Sequence, residues 1–200
     1  REALGVVLAI TPWNAPIFTA GWNVFPALAA GNAVLLKPSE FTPLTSLALG
    51  LIAEQAGLPC GLFQVLAGPG QGTGAALLAA PEIAKVVFVG GVTAGRVVAA
   101  TAAARGVPTV LELGGKSANI VFDDADFASA IQGAQQAIYA GSGQSCVAGS
   151  RLLVQRSLHD RFIAALAEAQ RRIRLGDPLD AATEMGPVAN ARQFAHVREL

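Results

Sequence analysis

The sequence predicts an α/β protein with a doubly wound parallel sheet, followed by a second, incomplete α/β portion. Three observations predict it. Short β-branched runs alternate with alanine-rich runs of helical length, which is the rhythm of βαβ units. The β-branched runs are continuously apolar, as in strands covered on both faces. The helical runs stop at glycine or proline, which returns the chain to the sheet after each crossover. Together they describe a Rossmann-like sheet.

GVVLAIT (5–11), AVLLKP (33–38), FQVLAG (63–68), KVVFVG (85–90) and TVLEL (109–113) read as the strands. Helices are expected over 43–56, stopped by Gly57 and Pro59; over 71–80, stopped before Pro81; and over 93–104, stopped by Gly106 and Pro108. After LGGKS the rhythm changes. NIVF (119–122) reads as a strand, and Asp123, Asp124 and Asp126 lead into a helix over about 126–140, with acids at its positive end. A loop around Cys146 follows, then a strand RLLVQ (151–155) and a helix over 158–173 with Ser157 as N-cap. GDPLD (176–180) reads as a turn and ANARQFAHVREL as helix. A domain boundary is expected near residue 114. A start without Met and a last helix without a stop signal predict an internal piece of a longer chain.

Composition excludes several partners. Apolar residues make up 52% of the chain and charged residues 14%, well below the roughly 25% charged content of soluble domains. That shortage predicts surface covered by further protein. Fourteen basic residues balance fourteen acidic ones with no basic block, so a nucleic-acid partner is not expected. No apolar run reaches the ~18 residues of a membrane helix, so no membrane partner is expected. The most apolar stretch, VFPALAAGNAVLLKP, is punctuated by Pro26, Gly31, Asn32 and Lys37. REALGVVLAITPWN has a single leading Arg with an acid directly after it, and TPWN where a small-residue cleavage site would stand, unlike a signal peptide. Cys60 and Cys146 form neither a disulfide framework nor a CxxC site, which predicts a reducing cytoplasm. His159 and His196 read as surface residues of separate helices, and no metal site is expected.

Five places could carry chemistry, and each has a plainer reading beside it. Glu112 ends an apolar strand before a double glycine, where open α/β sheets present working residues; strand-end acids also simply cap or pair. Cys146 stands in GQSCVAGS, among glycines and serines that let a backbone approach a substrate; a free cysteine is otherwise a small buried hydrophobe. Asn14, in TPWN after the first strand, could donate its amide to an oxyanion or just complete a turn. Lys37 and Glu40, in KPSE, follow a strand where ligands bind, or form a solvated loop pair. FVGGVTAGR leads a strand through Gly90, Gly91 and Gly95 into a helix, whose N-terminus favours a pyrophosphate. It is not the GxGxxG fingerprint. Cys60, in GLPCGLF, reads as a turn cysteine with no chemistry, a small hydrophobe.

Taken together, TPWN (11–14), KPSE (37–40), FVGGVTAG (88–95), LELGGKSANIVF (111–122) and GQSCVAGSR (143–151) resemble the NAD(P)-dependent aldehyde dehydrogenase superfamily. The interval from 112 to 146 fits it as well. The resemblance runs from residue 3 to the end and covers the middle of a family subunit. It implies an NAD(P)-binding domain over 1–114, lacking its N-terminal part, and the first portion of a catalytic domain over 115–200. It implies Cys146 as nucleophile, Glu112 as general base for thioester hydrolysis, and Asn14 with the Cys146 N–H as oxyanion donors. It assigns cofactor contacts to Thr11, Pro12, Trp13, Lys37, Ser39, Glu40, Gly90, Gly91, Gly95, Leu113 and Gly114. NAD is the implied cofactor with NADP as alternative, an aldehyde the substrate, and a homodimer or homotetramer the full-length assembly. Ser145 would be a pocket neighbour. Gly91 departs from the serine common in the family, and Val89 from a threonine. A cysteine esterase would leave Lys37, Glu40 and the glycine loop idle; a non-catalytic nucleotide-binding fragment is the other alternative.

Overall fold

The computed structural model describes residues 2–199. The chain divides after Leu113 into two compact units. The first holds β1 (Val6–Ile10), α1 (Pro16–Ala29), β2 (Ala33–Lys37), α2 (Leu44–Gln55), β3 (Phe63–Val65), α3 (Ala75–Ala79), β4 (Ile83–Gly90), α4 (Val92–Ala104) and β5 (Thr109–Leu113). Its five strands form one parallel sheet in the order β3-β2-β1-β4-β5.

Alternate residues of β1 serve two cores. Val7 and Ala9 pack with Ala20 and Val24 of α1, Val34, Leu36 and Leu49 on one face. Leu8 packs with Leu78 of α3, Val86, Phe88, and Val98 and Ala102 of α4 on the other. Helices on both faces make the sheet doubly wound, as the sequence predicts. Each fully buried Leu or Val side chain contributes roughly 1.5–3 kcal/mol relative to exposure. β5, the outermost strand, departs from the continuously apolar reading: it alternates half-buried and exposed residues, with Val110 39% exposed. One of its faces is uncovered within this unit.

Helix α1 is the element that the sequence pattern missed. Pro16 opens it with a fixed φ at the first turn. Pro26 sits inside it and removes a helical N–H, which ordinarily costs ~3 kcal/mol. Burial of Thr19, Ala20 and Val24 against the sheet offsets that loss. Asn32 then ties the end of the helix to β1. Its Oδ1 accepts from the Leu4 and Gly5 N–H groups at 2.7 and 3.2 Å, and its Nδ2 donates to the Ala27 carbonyl at 3.0 Å.

The second unit holds β6 (Ala118–Val121), α5 (Phe127–Tyr139), β7 (Arg151–Val154), α6 (His159–Gln170) and α7 (Ala191–Glu199). β6 and β7 pair in parallel, and Val121, Ala134, Phe162 and Leu166 form a small core. The Phe127 and Phe162 rings meet edge to face at 5.9 Å. Asp126 caps α5 by accepting from the Ser129 N–H at 2.8 Å. Hydrogen bonds from Ser129, its side chain first and then its backbone, hold the Asp126 carboxyl below its ordinary value of 3.8. Ser157 is not the N-cap of α6. Leu158 takes that position without a side-chain bond, and the Ser157 hydroxyl donates to Asp123 at 3.1 Å. The Asp123 carboxylate, already held by Gln155 at 2.6 Å, is the stronger acceptor.

Candidate functional site

The chain leaves β1 toward β2 and β3, then returns to lay β4 on the other side of β1. That reversal makes the β1–β4 pair a topological switch point, and ligands of open α/β sheets bind beyond the carboxyl ends of such strands. The register gathers the first unit's predicted residues at this edge. Ile10 lies opposite both Lys37 and Phe88, Val89 opposite Glu112, and Gly90 opposite Leu113. Thr11 to Asn14 follow β1, Lys37 to Glu40 close β2, and Gly90 and Gly91 close β4.

The loops at this edge are bonded to one another. The Thr11 N–H donates to the Lys37 carbonyl at 3.1 Å, and the Thr42 hydroxyl to the Trp13 carbonyl at 3.0 Å. Pro12 and Trp13 are half-buried, and Asn14 is exposed. Ser39 is buried and shapes its own turn, its Oγ accepting from the Phe41 N–H at 3.3 Å. Lys37 is 3% exposed, which rules out a solvated loop pair; its Nζ stands 3.5 Å from the half-exposed Glu40 carboxylate. An ammonium has three protons to donate. One long contact leaves a desolvated cation able to take further acceptors. Beside it, the Thr11 hydroxyl is buried without a hydrogen-bond partner. These two groups fit a polar ligand rich in hydroxyl and phosphate oxygens.

The glycines divide by task. Gly91 is the N-cap residue of α4, and the first-turn amides that follow it have no intrahelical acceptor. A Cβ on Gly90 would stand 2.7 Å from the Phe88 ring. Gly95 needs a different account from the one its motif implies. Its N–H donates to the Gly91 carbonyl at 2.9 Å, so that amide is committed within the helix. A Cβ there would stand 2.6 Å from Leu113, so Gly95 lets α4 pack on β5. The glycines at 68, 70, 72 and 74 follow β3, and the sequence reading gave them no site role; Gly70–Gly74 form a π-helical turn that runs into α3, so the helix expected over 71–80 lies at 70–79. This segment reaches the same edge, with Gly74 against the Lys37 stem. Glycine at every second position after a strand was the available signal.

Glu112 is exposed on β5, on the face opposite Leu111 and Leu113. In the second unit, Gly114 follows β5 exposed, and Cys146 is an exposed free thiol. Its neighbours form a tight turn, with the Ala148 N–H donating to the Ser145 carbonyl at 3.2 Å. Cys60 is also an exposed free thiol, in a turn between α2 and β3. No described helix is long and apolar enough to cross a membrane.

The sequence profile of the aldehyde dehydrogenase family matches residues 1–200. The chain belongs to the aldehyde dehydrogenase family. It is 49% identical over 197 residues to a betaine aldehyde dehydrogenase of Mesorhizobium japonicum, covering 98% of this chain and 40% of that protein. A betaine aldehyde dehydrogenase of Bacillus subtilis is 43% identical, over 100% of this chain and 41% of its own length. Among solved structures, the betaine aldehyde dehydrogenase of Staphylococcus aureus in complex with NAD+ superposes with a TM-score of 0.97 at 42% identity, over 99% of this chain and 39% of that one. A double mutant of that enzyme, also with NAD+, carries a BME-modified cysteine; its TM-score is 0.96 at 42% identity, over 99% of this chain and 40% of that one. The present chain thus spans about two fifths of the length of these aldehyde dehydrogenases.

Proposed function

We propose that the polypeptide containing this chain oxidises an aldehyde to a carboxylic acid with NAD, through a covalent intermediate on Cys146. The observation that carries this reading is the exposed Cys146 thiol on a glycine-flanked loop, in a chain of this family. Lys37 and Glu40 would hold the adenosine ribose, and Thr11 to Trp13, Ser39 and the glycine-rich segment 68–74 would line that edge. Gly90, Gly91 and the α4 N-terminus would receive the pyrophosphate, with Leu113 and Gly114 beside the cofactor. When bound, NAD accepts the hydride. The Glu40 carboxylate would repel a 2′-phosphate, so NAD is preferred over NADP. The NAD+ complexes of the relatives support this choice.

The Cys146 thiolate attacks the aldehyde carbon, and the carbonyl electrons pass to oxygen. The Asn14 amide and the Cys146 N–H receive that oxyanion, an interaction of the kind worth about 10²–10³ in rate per donor. Loss of hydride from the same carbon leaves a thioester on Cys146. Glu112 takes a proton from water as its oxygen adds to the thioester carbon, and collapse releases the acid and the thiolate. Glu112→Gln keeps the shape and removes the base. It should give a burst of about one NADH per site followed by slow turnover. Steady-state turnover equal to the unmodified enzyme would remove Glu112 from this role.

The relatives' names and one surface of α1 support a trimethylammonium aldehyde as substrate. Phe18 and Trp22, 63% and 68% exposed, form a ring pair 5.5 Å apart within two turns of Asn14. Aromatic faces attract quaternary ammonium groups. Trp22→Ala should therefore raise KM for betaine aldehyde more than for a neutral aldehyde of equal length. Equal rises would leave the cation unrecognised by this face. The same reading makes the full-length protein a cytoplasmic homodimer or homotetramer, which light scattering on the purified protein checks.

A further inference from the structure

The loop that carries Cys146 passes through three consecutive residues in left-handed backbone: Gly141 (φ 58°), Ser142 (φ 57°) and Gly143 (φ 74°). Glycine adopts that region freely, but serine does not. Ser142 is the one non-glycine residue with positive φ among the described residues. Its hydroxyl donates to the Gly186 carbonyl, 44 positions away, at 2.9 Å. Gln144 spans the same gap. Its Oε1 accepts from the Ala189 N–H at 3.0 Å while its Nε2 donates to the Gly141 carbonyl at 3.1 Å.

The segment that receives these bonds is itself braced. The Arg174 N–H and guanidinium both donate to the Glu184 carboxylate, at 3.0 and 3.2 Å. The Glu184 and Met185 N–H groups donate back to the Arg174 carbonyl. Just beyond, Asn190 caps α7 by accepting from the Gln193 N–H at 2.9 Å. On the other side of Cys146, the Gly149 N–H donates to the Ala137 carbonyl at 2.8 Å. A Cβ on Gly149 would meet Ala137 at 3.0 Å and Asn119 at 3.2 Å, so the backbone there lies close against α5 and β6. Cys146 is therefore suspended between two fixed points.

We propose that Ser142 is a positioning residue for the nucleophile: by docking the loop on the 186–189 segment, it sets where the Cys146 thiol and N–H point. This inference rests on the reading of Cys146 as nucleophile and extends it to backbone groups that carry no chemistry themselves. Attack on a carbonyl depends steeply on angle and distance, so an undocked loop slows the chemical step more than it weakens binding.

The test compares Ser142→Gly, Ser142→Asn and Cys146→Ala in the full-length enzyme. Glycine keeps the left-handed backbone and removes the donor. Asparagine tolerates the same backbone and can donate its amide to the Gly186 carbonyl. The single-turnover rate of NADH formation should fall about tenfold or more in Ser142→Gly, with KM for NAD within about twofold, and return to within about threefold in Ser142→Asn. A glycine variant as fast as the unmodified enzyme, or an asparagine variant no faster than the glycine one, overturns the proposal. If the glycine variant does not fold, Ser142→Ala replaces it, and equal rates for alanine and asparagine overturn the proposal. An active Cys146→Ala would instead refute the nucleophile itself. An inactive one beside an unimpaired Ser142→Gly refutes only the positioning role.

Discussion

The two units place their functional residues by different means. In the first, the proposed cofactor residues stand at or just past the ends of hydrogen-bonded strands, so the register of five parallel strands sets their spacing. None of α1 to α4 has a side-chain N-cap. Burial against the sheet holds them instead. In the second unit only two strands pair, and the proposed nucleophile stands on a loop fastened by side chains: Ser142, Gln144 and Arg151, whose Nε donates to the Lys116 carbonyl at 2.8 Å. Its helices α5 and α7 are capped by Asp126 and Asn190. A sheet edge keeps its geometry when one polar side chain changes. A loop held by single hydrogen bonds does not.

The sharpest way to separate the units is to remove the chemistry from the second alone. Cys146→Ala should lower turnover by about 10³-fold or more, as loss of a nucleophile does, while NAD affinity stays within about twofold. Cys60→Ala should leave both unchanged. Isothermal titration with NAD and a steady-state assay check this, and equal losses from the two cysteines would break the comparison. The converse change lies in the first unit. Lys37→Met keeps the buried stem and removes the ammonium, whose hydrogen bonds as a charged donor are worth roughly 1.5–3 kcal/mol. KM for NAD should rise about 10- to 100-fold by that figure, with the thiol-modification rate of Cys146 unchanged. A slowed thiol would show that the two units do not act separately. Glu40→Ala, at the same edge, should narrow the preference for NAD over NADP.

The smallest effect concerns the caps. The Asp126 carboxyl titrates below its ordinary value in the folded protein, so its ionised form is the one the fold favours. Its contribution is therefore present above the unfolded value of 3.8 and is lost as pH falls through the lower folded value. Asp126→Ala should lower the melting temperature slightly near neutral pH, and the difference should shrink on acidification toward that folded value. A difference that grows on acidification would contradict the cap.

Much of the first unit was legible because its signals are local. A β-branched run with a helical run after it reports a βαβ unit wherever it lies, and the residue that ends the run stands at the sheet edge whatever the partner strand. Lys37, Gly90 and Glu112 were therefore identifiable as edge residues from 33–38, 85–90 and 109–113 alone. The catalytic and cofactor roles came instead from the resemblance of whole motifs. Helix α1 was illegible for the same local reason, since Pro26 interrupts its pattern and the packing that overrides it comes from β1, β2 and β4.

By itself, then, the sequence determined the α/β class, the five parallel strands of the first unit, and the family, although β3 stops at Val65 rather than 68. These follow from the order of residues along a few turns of chain. Only the tertiary structure decided that Lys37 is buried while Glu40 is not, that Gly95 serves helix packing, and that Ser157 bonds to Asp123 rather than capping α6. It alone joined Ser142 to Gly186. Each of these depends on a partner brought close by folding, and a side chain's choice among such partners leaves no periodicity in the residues around it.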